Sequence, residues 1–172
     1  MIENKTDLRL WTKSERKLID TEKISLNLTK KILDSDEYKK SKNIMIFYPL
    51  KYELNFIDLA KDETKNFYLP KINNENLLCC PYKYGDTLAE GNFKTLEPVC
   101  ENVNPKILDM VITPALACDT DNYRLGYGKG YYDRFLKNLD VIKIACIPKK
   151  LYINTVYPDK YDIKMDKILV SD

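Results

Sequence analysis

Three short segments are apolar on nearly every consecutive residue: NIMIFYPL at 43–50, ILDMVIT at 107–113 and VIKIACI at 141–147. A strand with one wet face alternates apolar and polar side chains, so strands of this kind must be covered on both faces. None approaches the ~20 residues that a membrane-spanning helix needs. Stretches with helical spacing lie around them. Over 6–33, Leu8, Trp11, Leu18, Ile19, Ile24, Leu28, Ile32 and Leu33 recur at roughly three- and four-residue intervals without glycine or proline. Thr6 or Asp7 is expected to cap the first turn, and a break near Asp20 to precede a second helix from Thr21. Residues 54–65 and 131–139 also read as helices; 66–72, 77–82 and the ILV of the tail read as strands. The stretch 83–106 holds Gly85, Gly91, Pro98 and Pro105 and reads as loops around a short extended piece. Alternation of helices with doubly buried strands predicts an α/β fold, a three-layer α/β/α sandwich with a largely parallel sheet. With no repeat and no linker, the 172 residues read as a single domain over 1–172.

Composition removes several function classes. Lys and Arg number 28 against 26 Asp and Glu, which gives no basic excess for non-specific nucleic-acid binding. The chain has no histidine, so neither the commonest general base near neutral pH nor the commonest zinc ligand is available. Its five cysteines form no C-x-x-C pair and most sit in apolar runs. They read as reduced core residues of an intracellular, cytoplasmic protein. The charged start MIENKTDLRLWTKSERK has no apolar core of a secretory signal, so neither export nor membrane association is expected.

Only five glycines occur, and three of them, Gly126, Gly128 and Gly130, fall within RLGYGKGYYDRF at 124–135. Glycine lets backbone N–H groups approach a ligand closely. A Gly-rich turn leading into a helix, with Lys129 between two glycines, suits a phosphate group. The spacing matches neither the P-loop nor the dinucleotide fingerprint. A tight loop would need only one glycine. KGYYDRF also has the K-G-aromatic start of an RNA-recognition strand, but Asp133 and Arg134 replace the alternating aromatics and the chain is about twice such a module's size. Asp133, in the first turn of the following helix, suits either dipole compensation or Mg²⁺ held beside phosphates. Asp162 and Asp166 are four apart and read as a solvated loop or as a second carboxylate source for the same site. Lys5 and Arg9, spaced i, i+4, can converge on one target. Glu53 follows a strand and a proline-containing loop, where open α/β sheets bind ligands.

These residues match a known pattern. RLGYGKGYYDRFL at 124–136 resembles, without a gap, the R-L-G-x-G-x-G-Y-Y-D signature of the 5-formyltetrahydrofolate cyclo-ligase family. KTDLR at 5–9 is similar to its N-terminal K-x-x-L-R, EYKKSKNIMIFYPLKYELN at 37–55 to its first strand and glutamate loop, and FYLPKI at 67–72 to its second strand. The EP at 97–98 and YDIKMDKIL at 161–169 fall in order. Two departures stand out. PALACD at 114–119 has Ala115 and Cys118 where the family has glycine and an aromatic, and Tyr161 replaces a histidine before Asp162.

The resemblance implies an α/β/α sandwich and an ATP- and Mg²⁺-dependent enzyme. It would close 5-formyltetrahydrofolate to 5,10-methenyltetrahydrofolate with release of ADP and phosphate. By matching positions, Lys5, Arg9, Arg124, Leu125, Gly126, Tyr127, Gly128, Lys129, Gly130, Tyr131 and Tyr132 would bind ATP, with Lys129 the catalytic residue. Tyr48 and Glu53 would bind the folate together with Tyr127, Gly128, Lys129, Gly130 and Tyr131. Asp133 and Asp162 would carry the metal. A monomer with a small-molecule folate substrate and no nucleic-acid partner is expected. The rival reading is a catalytically inactive nucleotide- or phosphate-binding regulator, motivated by the altered PALACD loop.

Overall fold

The computed structural model describes residues 2–172. Helix α1 (Lys5–Arg16) is capped by Asn4, whose side chain accepts from the N–H groups of Thr6 and Asp7 at 2.8 and 3.0 Å. The cap therefore lies just upstream of the expected Thr6 or Asp7, and Asp7 sits in the first turn, where the dipole favours it. Asp20 caps α2 (Thr21–Asp34) through the N–H of Lys23, as the break near Asp20 predicted. A short α3 (Asp36–Lys40) follows. Strand β1 (Asn43–Met45) is shorter than the apolar run that contains it. The expected helix over 54–65 is replaced by one 3-10 segment, Ile57–Lys61. The side chains of Asn55 and Asp62 accept from the N–H groups of Ile57 and Thr64, and such local bonds compete with helix propagation.

Strands β2 (Asn66–Asn73) and β3 (Asn76–Tyr82) form an antiparallel hairpin. The weakly patterned middle folds into a second hairpin, β4 (Leu88–Glu90) and β5 (Leu96–Pro98). Then come β6 (Met110–Thr113), β7 (Ala117–Asp119), β8 (Arg124–Leu125), α4 (Tyr131–Leu136), β9 (Ile142–Pro148), β10 (Tyr152–Ile153) and β11 (Lys167–Ser171). The main sheet has the order β11-β9-β6-β1-β2-β3, parallel throughout except for β3 at one edge. A smaller sheet, β10-β7-β8, carries the glycine turn on its end.

Parity along the strands sorts the core into two faces. Ile44, Ile46, Met110, Ile112 and Ile144 pack with Ile24, Leu28 and Ile32 of α2. Met45, Val111, Ala145 and Ile147 face the other way, toward Leu136 of α4, Leu151 and Met165. That double burial is what the continuous apolar runs require. The second face is covered largely by the small sheet and loops, because α4 has only six residues. Four cysteines are buried and Cys100 is exposed; all five are free thiols. Burial pushes the Cys79 and Cys118 thiols up to about 12, so they stay protonated at neutral pH.

The small sheet is organised by Asp119, which is 1% exposed. Its carboxylate accepts from the N–H groups of Asp121, Tyr123 and Val156 at 3.1, 2.9 and 3.0 Å. This fixes the β7–β8 turn, and with it the exit direction of the chain after Leu125.

Candidate active site

A cavity of about 890 Å³ opens beyond the carboxyl ends of β1 and β6, where open α/β sheets place ligands. It is lined by Lys5 and Arg9 of α1, by Tyr48 and Glu53 after β1, by residues 124–134, and by Asp162. The structure thus brings all but one of the sequence-predicted site residues to one cavity. Asp166 is the exception: its side chain is half exposed and pairs with Lys143 at 3.0 Å, and it lies outside the lining.

The glycine turn has a physical reason for each glycine. An added Cβ on Gly126 would lie 3.0 Å from the guanidinium of Arg124, on Gly128 3.3 Å from that of Arg9, and on Gly130 2.8 Å from that of Arg134. Gly128 and Gly130 also have φ of +105° and +70°, which side chains rarely adopt. Three guanidinium groups therefore close in on one bare stretch of backbone. Arg9 Nε donates to the Gly126 carbonyl at 2.9 Å and Arg134 Nη1 to the Lys129 carbonyl at 2.8 Å. With their carbonyls so held, the N–H groups of residues 126–130 donate to no protein acceptor among the described residues. Lys129 makes no ion pair there either; its Nζ lies 5.7 Å from the centre of the Phe93 ring. The helix behind the turn is too short for the dipole argument made from sequence to contribute much.

Arg124 is 6% exposed. It donates to Asp133 Oδ1 at 3.3 Å and to the Pro114 carbonyl at 3.4 Å, and lies 5.4 Å from the centre of the Tyr132 ring. Its Nε and the Tyr132 hydroxyl are buried without partners among the described residues. Burial raises the Tyr132 hydroxyl pKa well above the ordinary phenol value. Asp133 also accepts from the N–H of Ile163 through Oδ1, which leaves Oδ2 without a protein donor among the described residues. Lys5 forms ion pairs with Asp159, at 2.6 Å, and with Asp162. Burial alone would lower the Lys5 pKa, but the hydrogen bonds and charges of the two carboxylates outweigh it and raise it. Asp162 uses Oδ2 for Lys5 and the N–H of Asp159, leaving Oδ1 open.

At the other end of the cavity, Glu53 is 8% exposed. Its Oε1 accepts from the Tyr127 hydroxyl at 2.6 Å and its Oε2 from the N–H of Leu50 at 2.7 Å. Burial first, and then the Glu53 charge, raises the Tyr127 pKa strongly. The cavity is therefore cationic around the glycine turn, and apolar and acidic around Glu53.

The comparison with known proteins decides what kind of chain this is. The model of the 5-formyltetrahydrofolate cyclo-ligase family matches residues 2–171. The chain belongs to the 5-formyltetrahydrofolate cyclo-ligase family. It is similar to the 5-formyltetrahydrofolate cyclo-ligase of Mycoplasma genitalium, 33% identical over 138 residues, covering 76% of this chain and 73% of the relative. The mouse enzyme of the same name is 27% identical over 170 residues, covering 86% and 82%. The solved 5,10-methenyltetrahydrofolate synthetase of Aquifex aeolicus superposes with a TM-score of 0.85 at 30% identity, covering 96% of this chain and 89% of that one. The chain is thus a ligase on the fold of the methenyltetrahydrofolate synthetases.

Three cavity neighbours were given no role at the site by the reading of the sequence. Arg16, 5% exposed, donates to the carbonyls of Tyr52 and Ala115 and ties the glutamate loop of this cyclo-ligase family member to the PALACD loop. Nothing in its i, i+4 surroundings sets it apart from a surface arginine. Arg134 stands out in the sequence only as a departure from an RNA-recognition strand. Glu97, 6% exposed, lines the cavity from β5; the sequence marked it only through the EP at 97–98 of the family resemblance, without a role. Ala115 and Cys118, the two departures from the family pattern, are buried and do not line the cavity.

Proposed function

We propose that this ligase converts 5-formyltetrahydrofolate and ATP to 5,10-methenyltetrahydrofolate, ADP and phosphate, with Mg²⁺ required. The observation that carries the proposal is the set of unpaired N–H groups at 126–130, flanked by Lys129 and Arg9, in the same cavity as the buried Glu53. Backbone N–H groups left without protein acceptors beside cationic side chains form a concavity that suits an anion. The orphaned Nε of Arg124 belongs to the same cationic end. Lys5, Arg9 and residues 124–132 would hold the triphosphate.

An N-formyl oxygen is a poor leaving group. Transfer of the γ-phosphoryl group to that oxygen makes it a good one: the P–O bond to ADP breaks as the new P–O bond forms. The N10 amine then attacks the activated carbon, phosphate departs with the C–O bond pair, and the ring closes with loss of the N10 proton. Lys129 would hold the transferred phosphoryl group, and the unpaired N–H groups would stabilise its charge. Tyr48, Glu53, Tyr127 and Tyr131 would place the folate so that N10 meets the formyl carbon. Glu53 would accept hydrogen bonds from the pterin N–H groups.

No group of three or more His, Cys, Asp or Glu side chains able to hold a metal occurs among the described residues. This fits Mg²⁺, which binds through one or two carboxylates together with phosphates and water. The open oxygens of Asp133 and Asp162 are the protein atoms available to it, and when bound it would neutralise phosphate charge. In this reading the chain works as one domain over 1–172 and as a monomer. The regulator reading loses its motive, because Ala115 and Cys118 stand in the core rather than on the cavity wall.

The test follows the methenyl product by absorbance, with and without ATP and Mg²⁺. Lys129→Ala should lower kcat by about 10²–10³-fold, the usual cost of one transition-state donor. Its Tm should stay within about 1 °C, because an exposed side chain outside the core contributes little stability. Near-normal kcat in the variant would remove Lys129 from the chemistry. Product formed by the wild type without ATP would end the proposal.

A further inference from the structure

Glu97 is a buried carboxylate that the established family activity does not explain. Its Oε1 accepts from the N–H of Ile72 at 3.1 Å and from Thr95 Oγ1 at 3.2 Å. Its Oε2 has no protein donor, and no lysine or arginine forms an ion pair with it, among the described residues. Leaving a carboxylate at 6% exposure without a cation is costly. Yet the β4–β5 hairpin is built around it. Gly91 has an ordinary φ of −103°, so its backbone does not need glycine. An added Cβ there would overlap the Glu97 carboxyl group, so the missing side chain is what admits the carboxylate. Ile72, Leu96 and Phe93 line the same cavity.

A buried carboxylate oxygen without a protein donor, facing a cavity, suits an N–H donor on the ligand. Glu53 differs in this respect, because Tyr127 and Leu50 already donate to both of its oxygens. The pterin ring offers several donors: its exocyclic amine, N3–H on one side of it and N8–H on the other. We infer that Glu97 Oε2 accepts a hydrogen bond from the exocyclic amine of the folate ring, making Glu97 a second specificity-determining carboxylate beside Glu53. The inference rests on the functional reading above. It gives Glu97 of the β4–β5 hairpin to the folate, while Phe93 at the hairpin tip stays close to Lys129 of the glycine turn.

Glu97→Gln separates this role from a structural one, since the amide oxygen still accepts from Ile72 and Thr95 while the charge is lost. KM for 5-formyltetrahydrofolate, and Kd measured without ATP, should rise roughly tenfold or more, the usual loss for a hydrogen bond to a charged group. The KM for ATP and the Tm should not move. Gly91→Ala, which expels the carboxylate without deleting it, should raise the folate KM in the same direction. In wild type, a folate analogue lacking the exocyclic amine should bind more weakly than the parent, and this difference should shrink in Glu97→Gln. Unchanged folate Kd in Glu97→Gln, or a change confined to ATP, would overturn the inference. Turnover by the wild type tests the functional reading separately, so failure of one is distinguishable from failure of the other.

Discussion

Replacing Tyr127 with phenylalanine removes one atom, the hydroxyl that donates to Glu53 Oε1 at 2.6 Å. That length is typical of a charge-assisted O–H···O⁻ bond. Such bonds contribute about 1.5–3 kcal/mol, and deleting the donor leaves a buried acceptor unpaired. Tyr127 itself keeps 38% exposure, so water can replace part of what is lost. A loss of about 1–2 kcal/mol at pH 7 follows. For a chain of this size that corresponds to a Tm lower by about 2–8 °C. The pH dependence has a definite sign. The folded-state pKa of Tyr127 is raised above its ordinary 10.0, so the stabilisation is complete below pH 10 and fades as pH rises toward the folded value. Thermal melts of wild type and Tyr127→Phe between pH 7 and 11 would therefore start apart and converge on the alkaline side. Other buried tyrosines titrate in both proteins and cancel in the difference. Equal Tm values at pH 7, or a gap that widens above pH 10, would refute the reasoning that the hydroxyl holds the glutamate.

Two further expectations follow from the same cavity. Glu53→Gln should raise the KM for 5-formyltetrahydrofolate by roughly tenfold and leave that for ATP unchanged, because only the folate end loses a charged acceptor; steady-state kinetics with each substrate varied would check it, and an unchanged folate KM removes Glu53 from the pocket. The Lys5–Asp159 pair predicts an acid-side loss of stability: the hydrogen bond from Lys5, then that from the Tyr161 N–H, lowers the Asp159 pKa below its ordinary 3.8, so the contribution holds above that pH and fades as pH falls through the lowered value. The difference in Tm between wild type and Asp159→Asn should accordingly be steady from pH 5 to 8 and shrink below pH 4, and a difference that grows on acidification would contradict the pairing.

The doubly buried strands and the two N-terminal helices were legible because their signals are local. Ile44, Val111 and Ile144 sit in runs with no polar alternation, and only a covered sheet accommodates them. The glycine turn was legible for a different reason, since a match over 124–136 is hard to produce otherwise. The failures have equally local causes. Residues 54–65 carry a helical pattern, but the side chains of Asn55 and Asp62 bond to nearby backbone and hold the helix to a short 3-10 turn. The β4–β5 hairpin has strands of three residues each, too short to impose a period on the sequence.

What the sequence determined by itself was therefore the layered α/β architecture and the place of the phosphate-suited turn. Both depend on which residue types follow one another. Tertiary structure alone decided that Arg9, Arg124 and Arg134 each press on a different glycine of that turn. It alone decided that Tyr127 closes on Glu53, 74 positions away in sequence. It also picked Arg16 and Glu97 out of a chain in which 31% of the residues are charged. The physical reason is burial: a charge looks the same in sequence whether it is solvated or not, and only the folded surroundings remove its water and make its partners matter.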